Sequence, residues 1–509
     1  MKKHLKTIAI AALMTAALVG CKKKDDGSST PAPGANTITG NITSDVTWKA
    51  SEQYALGGYV YVKSGATLTI EPGTIIKSSK IQAALIVEPG AKIIAKGTAS
   101  SPIVFTSGTS NPRRGDWAGV VICGNARTNN YITTAPIIEG GLATTYGSMG
   151  SLTGADAATA DADNSGILSY VRIEYAGYAP VPGSELNGLS LYALGSGTQL
   201  DHVQVTAAND DSFEWFGGCV NGKYLIAYMG IDDDFDTDNG YSGKVQFGLT
   251  IRSQFVADQS GSKAYESDHD GSANTNDPQT LCQFVNCTNI GPINNMGNIS
   301  TSIAPVKGAA TYIAALHTRR NSSTSVRNSI MIGWPVGILF DSKIGASGVT
   351  NANYLDGTKG NIKNNLVAGI SKNYTANAIA LQPGTDNKTW DAVSVVNGAG
   401  DLTIVNSTTI ADSTKLTWAP NTNGPRTFVY STVNANRYQY NHTGILKNAF
   451  SETNPSAYDF TPAANSPALT GADYTGLSSY FDQVSYIGAF APGSDWTAGW
   501  ANFVNTNNQ

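Results

Sequence analysis

Residues 209–218 read NDDSFEWFGG, 219–231 read CVNGKYLIAYMGI and 232–240 read DDDFDTDNG. Asp210, Asp211, Phe213 and Glu214 are therefore answered, at one constant offset of about 22 residues, by Asp232, Asp233, Phe235 and Asp236. A looser copy follows at Tyr265, Glu266 and Asp268, where the aromatic and the acid after it come at a somewhat longer step from Phe235 and Asp236. Internal similarity at a period of about 20 to 50 residues marks a stacked-repeat architecture. Between the acid blocks, runs such as 200–205 and 224–228 are β-rich and bounded by Gly, Asn and Asp, a strand-and-turn signal. A coil of that length holding two or three short strands is what a parallel β-helix needs.

The rest of the chain fits. Of 509 residues 54 are Gly, only 14% are charged, and segments with the apolar period of a helix are nearly absent, which predicts an all-β, single-domain right-handed parallel β-helix. A solenoid grows by adding coils, so the length does not imply several domains. With a net charge of -5 and no basic run after residue 24, nothing points to a nucleic-acid partner.

At the N-terminus Lys2, Lys3 and Lys6 precede an apolar run, 8–19, ending in Leu18-Val19-Gly20-Cys21. This has the charge, apolar length and small residues of a signal peptide and is too short to span a bilayer as a mature helix. The ending resembles a bacterial lipobox, which implies a signal peptide over 1–20 and lipid on the Cys21 sulfur. Lys22-Lys23-Lys24-Asp25-Asp26 resembles the surface-export signal of Bacteroidota lipoproteins. Residues 21–40 are then expected to be the lipidated Cys and a Gly/Ser/Pro-rich tether.

The β-helix is expected over 41–490, with Trp48 and Tyr54 closing its open N-terminal end, since an uncovered first coil would expose core and strand edges. Two near-copies, LTIEPGTII at 68–76 and LIVEPGAKII at 85–94, follow each other at a shorter offset and suggest a narrower coil with Glu-Pro-Gly corners. Residues 127–165 read as a long loop leaving the solenoid, and coils resume through 402–410. About a dozen coils at ~4.8 Å each make a rod on the order of 60 Å long. The aromatic-rich end, including YIGAF at 486–490 and a terminal segment over 491–509, reads as a C-terminal cap.

The Trp48-Lys49 start, the repeated Glu-Pro-Gly corners, the Asp210-to-Gly218 block, Gly243-Lys244-Val245-Gln246-Phe247 and the Tyr486-to-Trp500 ending together resemble a family of Bacteroidota surface lipoproteins with right-handed parallel β-helices. The resemblance spans nearly the whole mature chain and implies fold and location; the family lends no settled activity. More distantly, Asp-Asp pairs on successive coils resemble polysaccharide lyases and polygalacturonases, but no Gly-His-Gly or Arg-x-Lys completes a polygalacturonase-like site.

If the offset of the acid blocks is one coil, Glu214 stacks near Asp236, and Asp210 and Asp211 near Asp232 and Asp233, about 5 Å apart. At an effective dielectric of about 20 each like-charge pair costs roughly 3 kcal/mol. Three things could offset this: a hard cation such as Ca²⁺ on Asp210, Asp211, Glu214, Asp232, Asp233, Asp236, Glu266 and Asp268; protonation; or Lys223, Lys244, Arg252 or Lys263 nearby. The alternative is turn chemistry, with the acids capping backbone N–H groups in solvent. Phe213, Phe235 and Tyr265 read as an internal aromatic column. Trp215 and Phe216 cannot both point inward, which leaves one for sugar stacking, with Lys244 and His269 as further ligand-binding candidates. His269 also reads as a polar turn histidine, and neither His202 nor His317 has an evident triad partner in the sequence.

Beyond Cys21 there are Cys123, Cys219, Cys282 and Cys287. An exported chain permits disulfides, but Cys282 and Cys287 lie about 16 Å apart along an extended run, too far to bridge each other. No C-x-x-C spacing suggests zinc. Two functions follow: a lipid-anchored, non-enzymatic surface module that binds glycan or protein, in the setting of an outer-membrane transporter or surface protein, or a Ca²⁺-dependent polysaccharide lyase or glycoside hydrolase using the coils over 209–270.

Overall fold

The computed structural model describes residues 36–178, 184–293, 312–342, 344, 349–354, 357–370, 372–375, 378–381, 393–396, 429, 431–439 and 441–504. The proposed signal peptide, Cys21, most of the tether and the expected coil at 402–410 lie outside these residues.

Short runs of β-branched and aromatic residues, broken by Gly, Asn and Asp, leave each strand only a few residues before the chain must turn. Each strand then pairs in parallel with its counterpart one turn later, and among the described residues the ladders merge into one 28-stranded sheet wound as a right-handed parallel β-helix. Three faces result. The first runs through the second half of Tyr54–Val62, then Ala84–Val87, Gly119–Cys123, Leu189–Tyr192, Phe213–Phe216, Phe235–Asp238, Tyr265–Ser267, Ala314–Thr318 and Val336–Asp341. The second includes Thr67–Ile70, Lys92–Lys96, Lys244–Gln246 and Gln283–Val285. The third includes Ile75–Ser78, Ile103–Thr106, Leu249–Ile251 and Thr288–Ile290.

Alternation sends every second side chain inward. Phe213, Phe235 and Tyr265 fall in one register column and are buried. They meet edge-on or tilted, with ring centroids at 5.4 Å and 5.8 Å, the geometry the ring quadrupole favours. Trp48 and Tyr54 are buried and stacked at 5.1 Å at the N-terminal end, near the exposed strand Asn36–Ile42.

The offset between the acid blocks is one coil, because Phe213 pairs with Phe235. The shorter offset between the two Glu-Pro-Gly segments is not. Leu68 pairs with Ile93 and Val62 with Val87, a longer coil than that offset allows, so the two segments turn two different corners of the helix instead of stacking. Similar corners have similar sequences because both need a fixed φ followed by a left-handed residue: Gly73 and Gly90 have φ of 84° and 80°.

From Tyr170 onward, the corner between the second and third faces is a single left-handed residue in each coil. Tyr170, His202, Tyr224, Phe247, Asn286, Asn328 and Asn364 all have φ between 48° and 59°, a region that side chains other than Asn and Asp seldom occupy. The aromatic ones stack as a ladder, Tyr170 on His202 at 4.2 Å, His202 on Tyr224 at 4.5 Å and Tyr224 on Phe247 at 5.1 Å.

One expectation is refined and one corrected. Residues 127–165 do leave the stack of coils, between the strands Gly119–Cys123 and Gly166–Glu174 and outside the main sheet, but they fold back onto it instead of forming an open loop. They form a small parallel pair, Arg127–Thr128 with Ser148–Met149, and a helix, Gly154–Asp161, tied by an Arg127–Asp161 ion pair of 2.6 Å. The same segment buries Ile138, Leu142 and Tyr146 against Tyr192 and Phe216. The C-terminal segment, in turn, is not an end cap; it runs back along the corner ladder as a strap. Gln246 both donates to Asp482 O (2.8 Å) and accepts from its N–H (2.9 Å). Gln204 does the same with Asn502 (2.7 and 2.8 Å), and Asn328 with Asp473 (3.1 and 3.0 Å). An apolar strip that would have capped one end instead covers a side, with Trp500 edge-on to Tyr170 and His202.

Candidate functional site

On the outward side of the first face, one register column reads Ile86, Val121, Ser190, Glu214, Asp236, Glu266, His317 and Leu339. It changes from apolar to acidic to imidazole and back to apolar, which delimits the site to the coils of Glu214, Asp236, Glu266 and His317. One turn before the strands, Asp211 Oδ1 accepts the Asp233 N–H at 2.7 Å, and Asp233 Oδ1 accepts the Lys263 N–H at 2.7 Å. These two acids perform the turn chemistry expected of Asp, each capping the coil that follows it.

The remaining carboxylate oxygens converge. Asp210, Asp211 and Asp232 form one group, Asp211, Glu214 and Asp236 a second, and Asp233, Asp236 and Glu266 a third, each with one ligand oxygen per residue within 4.8 Å of the others. Two oxygens on one Ca²⁺, each about 2.4 Å from it, lie no more than about 4.8 Å apart. The donors are hard and anionic, so the residues present fit a hard divalent cation in chemistry and spacing.

Charge is distributed unevenly along the column. At its far end Lys263 Nζ lies 2.6 Å from Glu266 Oε1 and 3.1 Å from Asp233 Oδ2. Arg319 bonds both Glu266 and Asp268, Arg320 reaches Asp268 at 2.7 Å, and His317 sits between Glu266 and Asp341. Burial works upward on Glu266, but Arg319, Lys263 and His317 outweigh it and hold its carboxyl down at about 2. At the near end, burial and then neighbouring acids raise Asp210, Asp211, Glu214 and Asp236 well above the ordinary carboxyl range. Asn187 Nδ2 donates to Glu214, while the buried Asn187 Oδ1 has no partner among the described residues. Burial and Glu185 push Glu139, from the folded-back segment, up to about 7, and burial and Asp268 do the same to Asp238.

The four expected ligand-binding side chains are not at an open surface of this site. Trp215 points inward and is fully buried against Phe213 and Tyr241. Phe216 points outward but is 4% exposed, stacked on Tyr192 at 4.1 Å under the 127–165 segment. Lys244 begins a strand of the second face, away from the acidic column. His269 is buried, its Nδ1 accepting the Thr280 N–H at 3.2 Å and its carbonyl accepting from Asn129 at 2.7 Å; it is a turn histidine. Of the expected counter-charges, only Lys263 joins the column: Lys223 pairs with Asp482 and Arg252 with the buried Asp234.

Sequence reasoning missed Arg319, Arg320 and the place of His317. Asp268 and Arg319 stand 51 positions apart along the chain, and no short-range pattern links the two ends of the coil between Tyr265 and Leu316. Among the described residues Cys123, Cys219, Cys282 and Cys287 are free thiols.

The model of one protein family, the pectate-lyase-like β-helix domain, matches residues 40–357. The chain belongs to this family. Neither a curated protein nor a solved structure matches it significantly. The pectate-lyase-like β-helix span contains the whole acidic column and its Lys263, Arg319, Arg320 and His317 neighbours, and ends before the strap of 441–504.

Proposed function

We propose that this pectate-lyase-like β-helix is a lipid-anchored, cell-surface module of Bacteroidota type that takes Ca²⁺ on its acidic face and binds glycan or protein there without catalysis. The observation that carries it is the register of Glu214 over Asp236, with Asp210 and Asp211 beside them, all buried or half-buried and without an ion-pair partner among the described residues. Desolvated like charges in one column call for a counter-ion or a proton. Asp210, Asp211, Asp232, Glu214 and Asp236 would hold the cation, which would supply positive charge for a carboxylate- or hydroxyl-bearing ligand. Calorimetric titration with Ca²⁺, beside a Glu214→Ala/Asp236→Ala variant, tests this: tight binding lost in the variant supports it, and no heat with the intact protein refutes it.

The anchor rests on Leu18-Val19-Gly20-Cys21 and the Lys22-to-Asp26 run, and it puts the protein in the outer membrane, beside a transporter or another surface protein. No helix among the described residues is long and apolar enough to cross a membrane. Cys21→Ala is expected to release the protein from the membrane fraction, and retention there would remove the anchor from the proposal.

The alternative is a Ca²⁺-dependent polysaccharide lyase or glycoside hydrolase, favoured by the family and by a cation, Arg319, close enough to act on Asp236. A lyase base must shed its proton near neutral pH. Although burial pulls Arg319 down, Glu266 and Asp268 raise it well above its ordinary value, so it is held protonated and the binding function is preferred. Ultraviolet absorbance of an unsaturated uronate on incubation with polygalacturonate would reverse that preference.

A further inference from the structure

Asn187, Asp211, Asp233 and Lys263 stand at equivalent places on successive coils, each just ahead of the strand that begins at Leu189, Phe213, Phe235 or Tyr265. Asp211 and Asp233 each place one oxygen on the backbone N–H of the coil that follows. Asn187 departs from this habit. Its Nδ2 donates to the Glu214 carboxylate and lies 3.5 Å from Ser190 Oγ, while its Oδ1 has no partner among the described residues although Asn187 is only 1% exposed. The amide cannot be turned round, because an ionised carboxylate only accepts hydrogen bonds and so must face the NH₂ end. Both ends of an amide are joined to one carbon, which keeps Oδ1 within about 5 Å of the Glu214 oxygen that Nδ2 touches. The Gly188 N–H donates to Asp211 O at 2.9 Å, which holds this corner beside Asp211 as well. A buried amide oxygen is thus left over at the near end of the acidic column, and a buried polar atom of this kind calls for a partner.

We propose, on the footing of the cation-binding function above, that Asn187 Oδ1 is itself a ligand: the neutral oxygen that sets the cation on Asp211, Glu214 and Asp236 rather than on either of the other two acid groups. Ca²⁺ takes about six to eight oxygens and accepts Asn carbonyls beside carboxylates. The three carboxylates offer one oxygen each within 4.8 Å of the others, so the shell has room for the amide and for water. A neutral donor adds a bond without adding to the like charge already crowded into the column. Glu214, the partner of Asn187, is absent from the group of Asp210, Asp211 and Asp232, and the group of Asp233, Asp236 and Glu266 is already met by Lys263 and Arg319. One amide then acts twice. Its NH₂ orients the Glu214 carboxylate, as partners of metal-binding carboxylates commonly do, and its oxygen closes on the metal.

The test compares the purified full chain with Asn187→Ala and Asn187→Asp, by calorimetric titration with Ca²⁺ and by the luminescence lifetime of bound Tb³⁺ in H₂O and D₂O, which counts the waters on the ion. Asn187→Ala removes both ends of the amide; its Ca²⁺ affinity is expected to fall about tenfold or more, and its Tb³⁺ to gain a water where the amide oxygen stood. Asn187→Asp keeps an oxygen there but loses the donor to Glu214, and its Tb³⁺ is expected to carry as many waters as in the wild type. A water count unchanged in Asn187→Ala overturns the proposal. So does a water gained in Asn187→Asp, since Asn187 would then act only as the hydrogen-bond donor to Glu214, and this second arm decides alone should Asn187→Ala fail to fold by its thermal melt. A wild type that binds neither Ca²⁺ nor Tb³⁺ brings down the cation-binding function itself, an outcome distinct from binding that ignores Asn187.

Discussion

Glu214 and Asp236 occupy facing positions on adjacent coils of one parallel sheet, so two carboxylates a full coil apart in the chain stand one rung apart in space. The ion pairs described at this face reach Asp233, Glu266 and Asp268 instead. The column is therefore compensated at one end and open to a cation or a proton at the other.

This asymmetry sets a pH dependence. Asp210, Asp211, Glu214 and Asp236 are raised by burial and neighbouring acids, and Asp238 is raised to about 7. A raised carboxyl binds more protons folded than unfolded once pH exceeds its unfolded value of ~4, so stability falls as pH rises through that window. Glu266, held at about 2, acts in the opposite sense, and its contribution is lost only as pH falls toward that value. In a chelator, calorimetric melting is expected to occur at a higher temperature at about pH 5 than at about pH 8, with Ca²⁺ narrowing the gap. A profile that rises with pH in the chelator would contradict the raised carboxyls.

Removing Arg319 strands two acids. Arg319→Ala leaves Glu266 and Asp268 without their shared guanidinium, and the expected loss is about 3 kcal/mol in urea unfolding, below the ceiling for a fully buried pair because the side chain is 25% exposed. Arg319→Lys should recover only part of it, since one ammonium cannot reproduce a fork that bonds both carboxylates. Full recovery by Lys would show that charge alone matters.

The strap depends on amide side chains. Gln246→Leu keeps the bulk but unpairs the N–H and C=O of Asp482, for an expected cost of about 2 kcal/mol. Limited proteolysis should then cut within 471–504 before it cuts the coils. Equal protection of this segment in variant and wild type would mean that the aromatic contacts hold the strap alone.

Phe216 is expected to behave as core. Phe216→Ala removes the ring stacked on Tyr192 and should cost about 3–5 kcal/mol in urea unfolding. A change near zero would make Phe216 a surface platform after all.

The solenoid, the coil between the acid blocks, the inward column of Phe213, Phe235 and Tyr265, and the outward acids Glu214, Asp236 and Glu266 are all legible in the order of residues. They follow from strand alternation and from repeats of similar length, which are local properties. Other features emerge only when the coils are stacked: that Arg319, Arg320 and His317 complete the column, that the two Glu-Pro-Gly segments turn different corners, that Trp215 faces in while Phe216 is covered, and that the aromatic C-terminal segment lies along the side. The physical reason is that parallel pairing fixes the rung spacing whatever the length of chain between rungs. The long coil between Tyr265 and Leu316 stacks as closely as the short ones, and the chain that loops out returns to cover faces its own local pattern does not name.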